Sequence, residues 1–444
     1  MTFNDKTVVL LTGCTGYIGG LVLEELLRVV GKVYVTVRTK RGQEPQQRVS
    51  SLLLEHPLFA SIRNQPDGAE LLAKVVAVAA DLAAPACGFT ALVEAELKKQ
   101  VNIIIHCAAS LSLELHIHDA LAQTYFTTKG LLHLAQGCRS MQAFCFVSTA
   151  YVNANQPRGS LIEEKIYPLS DNGAPVQQAE LVAKLMGLPI DAAETETRRL
   201  LKTFGYLNTY LLSKTLTERM VMERDGKPCP VCIVRPALCG AVAKVPCPGY
   251  IGNASGATSA ILAVATGLAT FTGYGLDSLL PLVPGDVVAA VVVAATAAQV
   301  AASSPAEGQS IYHVCSSATF PITLREFHDH IADYFRRDPL LKQNALLVPS
   351  QPKRMLWVSD GEFRWRAMLK TVHYWLICMV LNIMGQGRLA TKLMLGWNTW
   401  KNLGSSAMDH NMRYSCEGAR KLLQAHYAAV ERRLTHHCCS FLQG

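Results

Sequence analysis

Short apolar runs separated by amphipathic stretches dominate the first third of the chain. Val8–Thr12 is apolar without alternation, which predicts a strand buried on both faces. Leu21–Val30 carries apolar residues at helical spacing. Val33–Val37, Val75–Ala79, Asn102–His106 and Ala143–Ser148 are strand-like, whereas Ala91–Lys99 and Thr128–Gly137 read as the helices between them. Strands and helices in alternation imply right-handed crossovers and a parallel sheet with helices on both faces. The expected fold class is therefore α/β: a doubly wound parallel sheet, an intertwined substrate-binding region and a small helical C-terminal region. No internal repeat is evident.

The pattern changes further along. Residues 155–205 are polar and irregular, with Pro157, Gly159 and a charged helical piece at Asp191–Lys202, and read as an insertion covering the site. Val287–Ala302 is Ala/Val-rich but only about 16 residues long. A membrane span needs roughly 20, so a buried helix is expected. After Phe363 the character shifts again. Between Glu362 and Asp409 there is no acidic residue, and Arg364, Arg366, Lys370, Arg388, Lys392 and Lys401 punctuate the apolar runs at 374–385 and 389–400. Basic flanks, apolar bodies and tryptophans suit a segment lying in a membrane interface. A helical hairpin packed on the main domain is the competing reading.

Composition narrows the partners. Of 444 residues, half are apolar and 17% charged, which is apolar for an enzyme yet far from a polytopic membrane protein. The net charge of +8 suits an anionic partner such as a phosphorylated cofactor, coenzyme A or acidic lipid. The basic residues are spread thinly and do not interleave with aromatics, so nucleic acid is not expected. The 14 cysteines are scattered through apolar runs, and no secretory signal precedes the first strand, which reads as reduced thiols in an intracellular protein. Cys229 and Cys232 form a lone C-x-x-C, read as structural. HHCC at 436–439 reads as a tail, with metal binding or lipidation of Cys438 or Cys439 as the alternative; no metal site is expected.

Two motifs carry the chemistry. Gly13, Gly16 and Gly19 form G-x-x-G-x-x-G between a strand and a helix. Glycine there permits the tight turn, backbone approach to a pyrophosphate, and close packing of helix on strand. The helix N-terminus adds free N–H groups, so Thr15, Tyr17 and Ile18 join the cradle. An acid after the second strand would bind the ribose of NAD. This chain instead has Arg38, Lys40 and Arg41, with Arg48 further on, and cations suit the 2′-phosphate of NADP. A solvated basic loop is the alternative. Asp81 and Leu82 follow the third strand and Cys107, Ala108 and Ala109 the fourth, where cofactor contacts are expected. Much later, Tyr210 and Lys214 stand one helical turn apart. A nearby ammonium lowers a phenol's pKa and makes it a better acid at neutral pH. Thr149, with Ser148 as the alternative, would supply a hydroxyl to a substrate carbonyl.

Together these pieces resemble an alcohol-forming fatty acyl-CoA reductase of the extended short-chain dehydrogenase/reductase class. TGCTGYIGGLVLEELLR, VNIIIHCAAS, VSTAYVN, GYLNTYLLSK and VRPALCG keep that family's order, and the resemblance runs from about residue 7 to 400. It implies a Rossmann-type NADP-binding reductase domain over residues 1–362, with substrate regions near 237–285 and 312–362, followed by a membrane-associating and helical region over 363–444. It implies Tyr210 as proton donor, Lys214 as its tuner, Thr149 as hydroxyl partner, Asn208 as a neighbour shaping the approach, and Arg235 and Pro236 after the strand that closes the cofactor site. Thr124 replaces an asparagine of the family pattern, and Asn411 to Leu434 is shorter than the family's tail. The implied reaction is NADPH-dependent reduction of a long-chain fatty acyl-CoA, through the aldehyde, to a primary alcohol and coenzyme A. The implied setting is an endoplasmic-reticulum or peroxisomal membrane, with contact through about 363–401, and a homo-oligomer is compatible. An aldehyde-forming acyl thioester reductase and a non-catalytic NADP-binding membrane scaffold are the alternatives.

Overall fold

The computed structural model describes residues 3–40, 42–223, 229–252, 256–273, 275, 277–302, 311–339, 352, 355–403 and 411–434. Arg41 and the HHCC tail lie outside the described residues. Seven strands form one sheet: β1 (Val8–Thr12), β2 (Lys32–Val37), β3 (Val75–Ala79), β4 (Ile103–His106), β5 (Ala143–Val147), β6 (Val231–Pro236) and β7 (Ile311–Val314). Their order is β7-β6-β5-β4-β1-β2-β3 and every pairing is parallel. The order reverses between β1 and β4, which opens a crevice at the carboxyl ends of those strands.

The strands are buried on both faces, which explains their unbroken apolar runs. Val9, Leu11, Val33, Val35, Ile103 and Ile105 enter one core with helix α1 (Tyr17–Leu26) and helix α2 (Pro45–Glu55). The intervening Leu10, Tyr34, Ile104, Phe144 and Phe146 enter a second core on the opposite face. That core also holds helix α3 (Ala91–Gln100), helix α4 (Thr127–Gly137), helix α5 (Ile190–Phe204) and helix α6 (Thr209–Glu223). The Ala/Val-rich stretch forms helix α7 (Gly285–Ala301), packed on α1, β5 and β6 with most of its residues buried. Its apolar surface runs all round because protein, not lipid, surrounds it.

The insertion contributes α5 and a preceding helix at Gln178–Gly187. Arg199 of α5 grips Asp171 through two hydrogen bonds of 2.9 and 2.6 Å, bracing the small hairpin in front of it. The basic-apolar region forms two helices, α8 (Asp360–Ile383) and α9 (Gly387–Leu403), packed side by side. They bury Phe363, Tyr374, Trp397 and Trp400 against Phe271 and Ala332. Lys370 donates to the Thr270 hydroxyl at 2.9 Å and lies over the rings of Phe271, Tyr374 and Trp397. Helix α10 (Glu417–Leu434) then returns to the first face of the sheet, where Ala419 joins the core.

One buried ion pair fixes the helix that carries Tyr210. Arg235 of β6 binds Glu218 of α6 through contacts of 3.0, 3.2 and 2.6 Å, with both side chains almost fully buried. Arg235 also donates to the Lys165 carbonyl at 3.0 Å and meets His313 Nε2 at 3.2 Å. Arg235 thus lies within the strand rather than after it, and its guanidinium serves α6. Removing one partner of such a pair leaves a charge buried alone, which costs about 3–5 kcal/mol. Arg235→Met is expected to lower the unfolding free energy by about that amount in urea titration. The double substitution Arg235→Met with Glu218→Leu is expected to recover most of the loss.

Candidate active site

The glycine turn is built by exclusion. Gly13 has a φ of +78°, and a Cβ there would lie 2.8 Å from the Ala108 backbone nitrogen. A Cβ on Gly19 would lie 2.1 Å from the Gly13 carbonyl oxygen. The turn closes with Gly16 N–H donating to the Gly13 carbonyl at 2.9 Å. Helix α1 then begins with no side-chain cap on Gly16, which leaves N–H groups of its first turn able to meet an anion. Tyr17 contributes its backbone only, because its buried hydroxyl donates to the Gly240 carbonyl at 2.7 Å. Thr15 and Ile18 sit on the same turn.

The ends of the neighbouring strands gather the remaining cofactor candidates. Arg38 follows β2 and is exposed. Arg48, on α2, donates to the Arg38 carbonyl at 2.5 Å. The Arg48 charge also reaches Cys14 in the glycine turn, opposing the burial that pushes that thiol up to about 12. Asp81 is exposed just beyond β3 and accepts weakly from the Ala83 N–H at 3.4 Å. Leu82 is half-buried against the second core. Cys107 and Ala108 are half-buried beyond β4, and Ala109 is exposed.

One contact at this crevice has no counterpart in the sequence reading. The Thr12 hydroxyl accepts from the Ala108 N–H at 3.1 Å and meets His106 Nδ1 at 2.7 Å. With the hydroxyl donating, the imidazole proton belongs on Nε2, which is buried with no partner. Burial, with the Lys214 ammonium adding to it, pushes His106 down to about 3, so the ring is neutral. A histidine closing an apolar strand was the available signal.

Tyr210 and Lys214 lie in the first two turns of α6. Asn208 caps this helix, its side-chain oxygen accepting from the Leu211 N–H at 3.0 Å. Its side chain thus sets the start of the helix that carries Tyr210. The Thr149 hydroxyl lies near enough to the Tyr210 phenol to favour its ionised form. Thr149 in turn reaches the carbonyl of Pro236, the last residue of β6, at 3.5 Å. Ser148 points elsewhere: its buried hydroxyl has no partner, and its N–H donates to the Val234 carbonyl at 2.8 Å. Thr124 is buried in a single π-helical turn at 122–126, before α4.

The electrostatics differ from the sequence expectation. Burial pushes the Tyr210 phenol up from its usual value, Cys239 adds to this, and only the Thr149 hydroxyl pulls it back. Lys214 is not among the groups that lower it. The lysine Nζ instead donates to the Val147 carbonyl at 2.9 Å and lies 4.6 Å from the centre of the Phe146 ring. Burial pulls its own pKa down to about 8, with Glu218 resisting. Its charge acts on His106 and Cys107. The physical reason is anchorage: a fully buried ammonium goes to the nearest satisfying carbonyl, and that carbonyl belongs to β5.

A family described as Male sterility protein, an NAD-binding family, matches residues 11–292. The chain belongs to this family. It therefore carries an NAD(P)-binding domain. The chain is 32% identical over 342 residues to Fatty acyl-CoA reductase 1 of Xenopus laevis, a match covering 76% of this chain and 63% of that protein. It is 33% identical over 336 residues to the Homo sapiens protein of that name, covering 75% and 62%. The match thus spans somewhat less than two thirds of these relatives' own length. Fatty acyl-CoA reductase 1 of Arabidopsis thaliana is 28% identical over 367 residues, covering 77% of this chain and 73% of that protein. Among solved structures, the terminal R domain of the myxalamid PKS-NRPS pathway shares the fold, with a TM-score of 0.60 at 17% identity over 97% of this chain and 91% of that one. The reductase domain of a nonribosomal peptide synthetase from Mycobacterium tuberculosis has a TM-score of 0.56 at 17% identity, covering 95% and 85%.

Overpacking a tight contact costs about 1–3 kcal/mol, or roughly 5- to 150-fold in a binding constant. Gly19→Ala is expected to weaken NAD(P)H binding within that range in a fluorescence titration. Gly187→Ala, where a Cβ meets nothing within 4 Å, is expected to leave it unchanged.

Proposed function

We propose that the protein reduces a long-chain fatty acyl-CoA, through the aldehyde, to the primary alcohol, using NADPH and releasing coenzyme A. The observation that carries this reading is the Thr149–Tyr210 hydroxyl pair beside a dinucleotide cradle. The names of the relatives supply the acyl-CoA class. The choice of NADPH rests on Arg38 and Arg48 near the end of β2, with Glu44 the first acid after that strand and engaged at the start of α2.

Bound on the glycine turn, NADPH supplies a hydride for each of two reductions. The chain's own groups manage oxygen and protons. Thr149 and Tyr210 donate to the carbonyl oxygen as negative charge develops there. A phenol whose pKa is raised stays protonated at neutral pH, so the group meeting the substrate is an acid with its proton in place. Its proton goes to the alkoxide of the second reduction. Lys214, near 8, exchanges protons readily around neutrality and sits one turn behind. Per acyl-CoA, two hydrides and two protons enter, the C–S bond breaks, and one alcohol and one thiol leave.

Purified protein with palmitoyl-CoA is expected to oxidise two NADPH for each coenzyme A thiol released. A ratio of one assigns the aldehyde as product instead. Tyr210→Phe is expected to lower kcat by about 10²–10⁴-fold, and an unchanged rate removes the assigned role.

The same reading places the protein at a lipid surface. Helix α8 leaves a continuous apolar stripe in solvent: Trp365, Met368, Val372, Trp375, Met379 and Ile383 are each 45% exposed or more. They recur at three- and four-residue spacing, one face of a helix. Exposed Arg364 and Arg388 flank the stripe. No helix among the described residues is long and apolar enough to cross a membrane, so the fit is to a helix lying in the interface. Flotation with phosphatidylserine-containing vesicles is expected to recover the protein, and Trp365→Ser with Trp375→Ser is expected to leave it at the bottom of the gradient.

A further inference from the structure

A cavity of about 1010 Å³ lies between α5, the start of α6 and the α8–α9 hairpin. It is at the upper end of ligand-pocket sizes, which run to about 1,000 Å³. One wall is Leu207, Asn208 and Thr209, the residues that lead directly into Tyr210. A second is the 113–116 segment beyond β4, and Thr209 ties the two together by donating to the Leu115 carbonyl at 2.8 Å. The third is α5, and the fourth is α8.

The chemistry of the walls favours an apolar occupant. Leu113, Leu201, Phe363, Ala367, Met368 and Val372 line it. The threonines among them have hydrogen bonds within the walls. Thr197 donates to the Ala193 carbonyl at 2.6 Å, and Thr371 donates to the Ala367 carbonyl at 2.7 Å while accepting from Trp397 Nε1 at 2.9 Å. An alkyl chain entering there therefore strips few unsatisfied polar groups of water. The charges lining it are mixed in sign: Arg198, Arg364 and Lys401 against Glu114 and Glu194. Arg198 pairs with Glu194 at 3.1 Å and Arg364 with Asp360 at 2.7 Å. Such a rim gives no strong net pull on an anion, so the cavity reads a chain and not a phosphate.

Two of its lining residues, Met368 and Val372, also belong to the exposed stripe of α8. The cavity is thus continuous with the stripe at one end, and its Leu207–Thr209 wall is the segment that leads into Tyr210. Resting on the acyl-CoA reading above, we propose that this cavity is the acyl channel of the enzyme and that its α8 wall sets the chain length accepted. The chain occupies the space between α5 and α8, with its carbonyl end at the Leu207–Thr209 wall. Met368 and Val372 are the residues that measure it. Their side chains stand at the boundary with solvent, where a larger group narrows the channel without entering the core.

The test uses the full chain and acyl-CoAs from octanoyl to stearoyl, with products measured by mass spectrometry. Met368→Trp combined with Val372→Trp is expected to lower kcat/KM for stearoyl-CoA at least tenfold relative to octanoyl-CoA. Retained octanoyl turnover shows that the variant is folded. An unchanged chain-length profile, with wild type active, overturns the channel and leaves the reductase reading standing. Binding of cis-parinaric acid to Tyr210→Phe protein gives a readout independent of turnover. Binding that weakens when the two tryptophans are added supports the channel even if no acyl-CoA is reduced. Binding that is absent, or indifferent to the tryptophans, overturns it.

Discussion

Helix α6 is pinned to the sheet at two successive turns, and the site depends on that double attachment. Lys214 holds the Val147 carbonyl of β5, and one turn later Glu218 holds Arg235 of β6. Two buried charges of opposite sign, each satisfied by the sheet, leave the helix little freedom to slide or rotate. Tyr210 stands one turn before the first of these anchors, and its hydroxyl consequently meets Thr149 at the end of the neighbouring strand. Neither anchor stabilises cheaply, since desolvating ions offsets much of their attraction. What they supply is position.

The same burial sets the protonation of the site. Away from water the charged form of each group is disfavoured, so the tyrosine holds its proton more firmly and the lysine less firmly than in solution. His106, beside them, is kept neutral for the same reason. The two motif residues therefore move apart in proton affinity through the medium around them, and not through a direct contact. Spacing along a helix establishes that two residues share a face. It does not establish which third group each will choose.

Much of the fold was legible because local pattern determines it. The first five strands, from Val8–Thr12 to Ala143–Val147, fall within a residue of their expected ends. Helix α1 begins four residues earlier than the apolar spacing suggested, because Gly19 and Gly20 look like breakers yet lie inside it. Glycine there answers to the backbone of the facing turn, a constraint that propensity does not see. What the pattern could not supply was contact between distant segments. Glu218 with Arg235, Thr12 with His106, and Tyr17 with Gly240 join residues 17, 94 and 223 positions apart. Nor did the run after Phe363 reveal which face would be buried. Apolar residues surround both helices, and only the docked hairpin distinguishes Tyr374 and Trp397 inside from Trp365 and Trp375 outside.

A small ladder near the end of the chain has a wider consequence. Arg413–Tyr414 pairs in parallel with Leu161–Ile162, at the opening of the insertion. Tyr414 and Met412 are buried there beside Ala150 and Ala237. The late segment is thus stitched to the middle of the chain, close to the loop that bears Thr149. Trimming the protein after the hairpin would not shorten a free tail. It would unpick the ladder to the insertion and uncover the sheet face beneath α10, so the terminal segment is part of the frame around Thr149.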